Sequence, residues 1–410
     1  MRIAFISAVF TPEREPAAVM AAQLAGRWIR DGHQVEVYCP FPNRPEGRLR
    51  AGWKRGVRQV ESRGNFTVIR CWHWLVGRDR RIWNRLLENA SFGMSAVLQA
   101  LPRGRPDLLV ISTWPFAAAG LAVLLAKWWR IPAIYYVQDL YPEAAVEAGM
   151  LRAGHSITRL LTAFDRCLCR SSARIVLASE TMREIFTRSR PDLARKVTVI
   201  DNWIDADEIK PLAAGDEWRR EHGIGERVFL ATFAGNLGLL SGAGILIRVA
   251  EYLRDRPDIF LLCVGEGVLK RGMAAEAARR GLANLRFLPF QPRESIARMH
   301  SAADALILTL RPGGGSACVP SKLITYLAAG RPVVCSASPE SESHAVIRRS
   351  GAGINVAPGN PRAIANALAA LARDRDAVER MSLAARSYCI GHFTADRALM
   401  EFGRVLHSLS

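Results

Sequence analysis

The chain has 410 residues, half of them hydrophobic, which is long for one domain and suits two, each with a large buried core. Its formal net charge is +18, and its eight cysteines are scattered with no CxxC pair, only the CxC of Cys167 and Cys169. That spacing excludes a disulfide framework and a zinc site, and makes a reduced cytosolic chain the expectation. The opening apolar run, residues 1–7, is too short for a signal peptide and is followed by Pro12, Glu13 and Arg14, so no such leader is expected.

Buried-strand signals alternate with helical ones along the chain, which predicts parallel sheets. Strands are predicted over 2–8, 34–39, 67–71, 108–112, 133–137, 174–178 and 197–200, and helices over 18–31, 116–129, 157–171 and 181–187. Asn202-Trp203-Ile204-Asp205, leading into Lys210-Pro211-Leu212, reads as a linker. A second series places strands over 228–234, 260–264, 285–288, 305–308, 332–335 and 353–356, with helices between them. Two doubly wound halves result, residues 1–205 and 206–389, followed by a terminal helix at about 390–410. In open sheets of this kind ligands bind beyond the carboxyl ends of the strands.

Two stretches have unusual composition. Residues 108–126 carry no charge over 19 positions, near the length of a membrane span, but Thr113-Trp114-Pro115 interrupts them, so a strand and then a buried helix are expected. Residues 44–85 hold twelve Lys and Arg against Glu46, Glu61 and Asp79, with Trp53, Trp72, Trp74 and Trp83 interleaved. Cations with tryptophan suit an anionic membrane surface or a phosphate-bearing lipid, the expectation here, and in principle nucleic acid, which is not expected. The compositional alternative is a coding bias, since Arg outnumbers Lys 50 to 6.

The most informative segment is Cys318-Val319-Pro320-Ser321-Lys322, followed by Tyr326-Leu327-Ala328-Ala329-Gly330-Arg331-Pro332-Val333-Val334. It reads as a loop, a short helix, a glycine stop and a buried strand. Pro320 suits a first helical turn. Ser321 and Lys322 then sit where backbone N–H groups and the helix dipole favour an anion. The alternative is an ordinary βαβ unit with a surface lysine.

This P-S-K-L pattern before A-x-G-x-P-V resembles the donor-binding segment of retaining GT-B glycosyltransferases of family four. The likeness is greatest to bacterial exopolysaccharide and O-antigen members of the colanic-acid type. Four further segments fit the family in order, so the resemblance covers nearly the whole chain. Phe10-Thr11-Pro12-Glu13 stands where relatives carry a glycine-rich loop, and its lack of glycine departs from them. Gln138-Asp139 ends the strand over 133–137 where many relatives have histidine. Asp139 would accept hydrogen bonds from sugar hydroxyls, or alternatively would cap the next helix. Phe233-Ala234-Gly235-Asn236-Leu237-Gly238 would bring backbone N–H groups to a diphosphate, with Asn236 and Ser241 in place of the usual Arg and Lys, and Arg311 as a second cation. Val264-Gly265-Glu266-Gly267 and Leu288-Pro289-Phe290 would line the nucleotide pocket.

The resemblance implies an α/β GT-B fold: two Rossmann-like domains facing across a cleft, the first on the acceptor side and rejoined by the C-terminal helix, the second binding the nucleotide sugar. It makes Asp139 and Lys322 the candidate catalytic residues. The donor-binding set would be Gly235, Asn236, Gly238, Gly265, Glu266, Pro289, Phe290, Pro320, Ser321, Lys322 and Thr325. It implies a nucleotide-diphosphate sugar, UDP-linked, as donor, no metal or other cofactor, and a polyprenyl-diphosphate-linked saccharide as acceptor on the inner face of the cell membrane. The family's E-x7-E pair is missing, its positions being Ala317 and Thr325; either Gly313–Gly315, Ser316 and Ser321 replace its contacts, the expectation here, with Glu340 and Glu342 as possible substitutes, or activity is weakened. The triplets Asp205-Ala206-Asp207 and Asp374-Arg375-Asp376 are read as a linker turn and part of a polar helix, not metal sites. A nucleotide-sugar epimerase and a non-catalytic sugar-nucleotide-binding scaffold are the open alternatives.

Overall fold

Runs such as Leu108-Leu109-Val110-Ile111 have no polar alternation, so they bury on both faces and become central strands of a parallel sheet. The structure, a computed structural model, describes residues 1–44, 47–54, 56–75, 77, 82–112, 116–147, 149–238, 241–313 and 321–409, excepting the side chains of 82, 83, 85 and 86. The chain forms two units: Met1–Val146 with Leu151–Asp201 and Ala398–Ser410, and Glu147–Met150 with Asn202–Arg397.

The first unit is built on β1 (Arg2–Ile6), β2 (Gln34–Pro40), β3 (Arg58–Arg63), β4 (Phe66–Cys71), β5 (Leu108–Ser112), β6 (Ala133–Val137), β7 (Arg174–Leu177) and β8 (Val197–Val199). They form one sheet in the order β3-β4-β2-β1-β5-β6-β7-β8, parallel except for β3 on β4. Its helices are α1 (Pro16–Arg30), α2 (Ile82–Ala100), α3 (Phe116–Trp129), α4 (Glu143–Glu147), α5 (Ser156–Ser171) and α6 (Glu180–Ser189). The connection β1 to β2 runs one way across the sheet, and β4 to β5, β5 to β6 and β6 to β7 run the other. Right-handed crossovers therefore put α1 on one face and α2, α3 and α5 together on the opposite face. Trp28 of α1 is fully buried, edge-on to Phe5 at 5.6 Å.

The second unit holds α7 (Gly215–Glu221), β9 (Phe229–Ala234), α8 (Leu246–Tyr252), β10 (Ile259–Val264), α9 (Lys270–Arg279), β11 (Leu285–Leu288), α10 (Arg293–Ala302), β12 (Ala305–Thr309), α11 (Ser321–Ala328), β13 (Val333–Ser336), α12 (Glu342–Ser350), β14 (Gly353–Val356), α13 (Pro361–Arg373) and α14 (Arg375–His392). Its parallel sheet runs β11-β10-β9-β12-β13-β14. The last helix, α15 (Ala395–His407), sets Phe402 edge-on to Tyr136 of β6 at 5.1 Å. The uncharged stretch 108–126 is β5 and most of α3, and no helix among the described residues is long and apolar enough to cross a membrane.

The basic stretch 44–85 contributes the exposed edge strand β3 and its partner β4. Arg70 turns inward: it is 2% exposed, its guanidinium donates to Cys39 Sγ at 3.1 Å and to the Thr11 carbonyl, and it stacks 5.1 Å from the Trp53 ring. Trp53 in turn packs on Phe41. Part of this cation–tryptophan pattern is therefore internal packing.

Candidate functional site

The second unit gathers most of the residues singled out in the sequence at the carboxyl ends of β9 and β10. The glycines there are demanded by contact. Gly235 has φ +136°, and a Cβ on it would lie 2.5 Å from Lys322 Cε. Gly265 has φ +147°, and a Cβ there would overlap the Gly235 carbonyl oxygen. Only glycine meets both conditions. The loops are knitted by Gly235 N–H to the Val264 carbonyl at 2.8 Å, Gly265 N–H to Leu288 at 3.0 Å and Leu237 N–H to Glu266 at 2.8 Å. Asn236 folds over the same turn, with its Oδ1 3.3 Å from where a Gly238 Cβ would be.

Helix α11 lies alongside. Ser321 opens it, and Thr325 Oγ1 donates back to the Ser321 carbonyl at 3.0 Å. Lys322 lies against Gly235 with its ammonium 4.0 Å from the Phe233 ring centroid. Burial lowers its pKa to about 8, and no carboxylate among the described residues pairs with it. A buried ammonium without a counter-ion is costly, and an arriving anion relieves that cost. Ala234, Gly235, Phe290, Ser321, Lys322 and Thr325 share a cavity of about 180 Å³ with Tyr326, Met299 and His300.

Pro320 and Ala317 lie outside the described residues. Glu266 is half exposed and ion-paired with Lys270 at 2.6 Å, whose ammonium also donates to the Leu288 carbonyl, so this carboxylate braces the loop. The Pro289 carbonyl accepts from Gln291 Nε2 at 3.1 Å. Arg311 is exposed just beyond β12, and Ser241 Oγ donates to the Gly238 carbonyl at 2.7 Å. Glu342 is 3% exposed and ion-paired with Arg349 at 2.5 Å, and Glu340 is exposed. Asp205 Oδ1 accepts from the N–H groups of Asp207 and Glu208, and Asp374 caps α14 through Ala377 N–H. Both triplets thus serve local backbone geometry, and Asp374 precedes the helix instead of lying in it.

Tyr326 and His300 are among the cavity residues to which the sequence assigned no role. The Tyr326 hydroxyl donates to the Ala234 carbonyl at 3.0 Å and accepts from its N–H at 2.9 Å, clamping the last residue of β9 to α11. His300 is 3% exposed and edge-on to Tyr326 at 5.3 Å, and burial lowers its pKa to about 4, which keeps it neutral. Tyr326→Phe leaves both Ala234 groups unpaired. It is expected to lower stability by about 1–3 kcal/mol, read as the midpoint shift in urea unfolding.

In the first unit, Asp139 follows β6, four residues before α4 begins at Glu143, so it is not that helix's cap. Burial raises its pKa to about 6. The segment after it is held by Arg190, 1% exposed, which donates to the Tyr141 carbonyl at 3.1 Å, to Glu143 Oε1 at 2.7 Å and to Asp165 Oδ2 at 2.8 Å. Glu13 Oε1 accepts from the N–H groups of Asn43 at 2.9 Å and Arg44 at 3.0 Å, a bracing role for the glycine-free loop.

Paired parallel-sheet units with glycine strand-ends and a flanking lysine helix place this chain in the GT-B class. A profile described as Glycosyltransferase Family 4 matches residues 17–208 and one described as Glycosyl transferases group 1 matches residues 215–388, and the chain belongs to the family-four glycosyltransferases. It is 26% identical over 349 residues to WcaI of Escherichia coli, assigned as a colanic acid biosynthesis glycosyl transferase, covering 83% of this chain and 84% of that one. WbjE of Pseudomonas aeruginosa, assigned as a glycosyltransferase, is 27% identical over 269 residues, covering 64% and 63%. The fold matches Anabaena HepE, solved with UDP, at a TM-score of 0.72 and 16% identity over the whole of both chains.

Proposed function

We propose that the protein is a retaining glycosyltransferase that moves a sugar from a UDP-linked donor to a polyprenyl-diphosphate-linked saccharide in exopolysaccharide or O-antigen synthesis, at the inner face of the cell membrane. The observation that carries this reading is Lys322, an ammonium that no carboxylate among the described residues pairs with, held beside the Gly235 backbone in a cavity of about 180 Å³. The assignment of WcaI to colanic acid biosynthesis and the complexes of HepE with UDP and with UDP-glucose support the pathway and the donor.

Breaking the anomeric C–O bond sends an electron pair onto the diphosphate, so charge grows there in the transition state. Donors fixed in advance stabilise that charge most. Lys322, Ser321 and the N–H groups of Asn236 and Gly238 would supply them, with no metal taking part, since the N–H groups of Gly235 and Leu237 are held by the Val264 and Glu266 carbonyls. The leaving phosphate oxygen takes the acceptor hydroxyl's proton while the acceptor oxygen bonds to the anomeric carbon on the face the phosphate leaves, so the configuration is retained. Asp139 accepts hydrogen bonds from the sugar.

The test is transfer from a panel of UDP-, GDP- and dTDP-sugars into a bacterial lipid extract, with the anomeric configuration of the product read by NMR. A lipid-linked product of retained configuration fits. Sugar interconversion without acceptor indicates an epimerase, and absence of transfer, hydrolysis and donor binding a scaffold.

Asp139 adds a pH dependence. Its folded pKa is raised, so the carboxylate is present above about 6 and is lost as pH falls through that value. The kcat/KM profile should carry an acid limb near pH 6, absent in Asp139→Asn. Because burying this charge costs stability above the unfolded pKa, the asparagine variant should lose activity without losing Tm. A limb that persists in the variant counts against the role.

A further inference from the structure

We propose that the outer side of the layer formed by α2, α3 and α5 is a docking surface for an anionic lipid bilayer. The proposal rests on the membrane-facing reading above and assigns it to a specific face. The three helices share one side of the sheet and are drawn together by glycines. A Cβ on Gly93 of α2 would come within 2.5 Å of Ala118 Cα in α3, and one on Gly120 of α3 would overlap the Phe164 ring of α5. Phe116 and Phe164 meet edge-on at 5.2 Å across the same seam. With the axes this close, the sheet-distal sides form one surface.

That surface is apolar where a helix facing water is polar. On α2, Leu87, Met94 and Leu98 fall at i, i+7 and i+11, and all are exposed, Leu98 by 58%. On α3, Leu124 and Trp128 fall one turn apart, exposed by 61% and 70%. On α5, Leu160 is exposed by 70%. Apolar patches spanning adjacent elements mark interaction sites.

The charges select the partner. The carboxylates of these helices, Glu88 and Asp165, are buried, while the charged side chains described as exposed on them are Lys127, Arg159 and Arg170, with Arg166 half-buried. Asp192 pairs Arg166 and Arg170, and among the described residues no carboxylate pairs with Lys127 or Arg159. An apolar face with outward cations fits anionic headgroups above acyl chains. A second copy placed by a two-fold axis would set these cations against their own kind. Since no described helix is long and apolar enough to cross, the face would lie on the bilayer.

The experiment is co-sedimentation of the full chain with vesicles of phosphatidylcholine alone or mixed with phosphatidylglycerol, alongside calorimetric UDP binding. Wild type should partition onto the mixed vesicles. Leu124→Glu/Trp128→Glu should weaken that by about tenfold or more, with UDP binding unchanged. If this double variant does not fold, Lys127→Glu/Arg159→Glu reads the same face. Equal partition of the variants, or none by wild type, overturns the proposal. So does self-association in sedimentation velocity that the double variant abolishes, since a second copy then covers the face. Vesicle binding without donor binding or transfer sustains this surface and overturns the transferase reading.

Discussion

Lys322→Ala is expected to lower kcat/KM for sugar transfer by about 100-fold or more, the scale of losing a charged transition-state contact. The ammonium sits over the Phe233 ring and against Gly235, and burial lowers its pKa to about 8. Below its unfolded pKa the empty protein therefore bears the cost of holding this charge. Removing it should leave the ligand-free Tm unchanged or raised, while the Tm gain on adding nucleoside diphosphate shrinks. A structural lysine would behave in the opposite way, losing stability first. The measurement is paired kinetics and thermal unfolding with and without UDP. Unchanged kinetics would discard this account of the phosphate site.

Gly265→Ala is expected to be the most damaging glycine substitution at the site. A Cβ there would overlap the Gly235 carbonyl, backbone that the hydrogen bond from Gly235 N–H to Val264 fixes in place. Its φ of +147° is also one that L side chains rarely adopt. The two loops must separate, at a cost of about 3 kcal/mol or more, with nucleotide binding lost alongside. Gly272→Ala, inside α9 where a Cβ meets nothing within 4 Å, is the control and should be neutral or stabilising by up to about 1 kcal/mol. Urea unfolding of both variants checks the contrast. Similar stability for the two would contradict the contact argument.

The central parallel strands were legible because strands buried on both faces are continuous apolar runs: β5 and β6 fall where the sequence places them. β3 was not, because Arg58–Arg63 is exposed along its whole length at the sheet edge and shows no period-2 pattern. α2 was missed for a different reason. Its outward face carries the apolar side chains Leu87, Met94 and Leu98, which weakens the contrast between faces that helical periodicity relies on. At the site, the glycine turns and Lys322 announce themselves locally. The Tyr326 clamp on Ala234 joins residues 92 apart, and His300 reads as one polar residue of an amphipathic helix until the fold buries it. The internal role of Arg70 within the basic stretch depends on its meeting Trp53, which composition does not encode.

The most direct test of the central claim, that Lys322 is the cation awaiting a diphosphate, is calorimetric binding of UDP, GDP and dTDP to wild type and Lys322→Ala at pH 7 and pH 9, in buffers of different ionisation enthalpy. With a free pKa near 8, the lysine is mostly charged at pH 7 and mostly neutral at pH 9, so affinity should fall by about tenfold between them, with proton uptake on binding at pH 9. The variant should bind weakly at both pH values with no such uptake. Equal affinity for wild type and variant, or binding by neither, would contradict it.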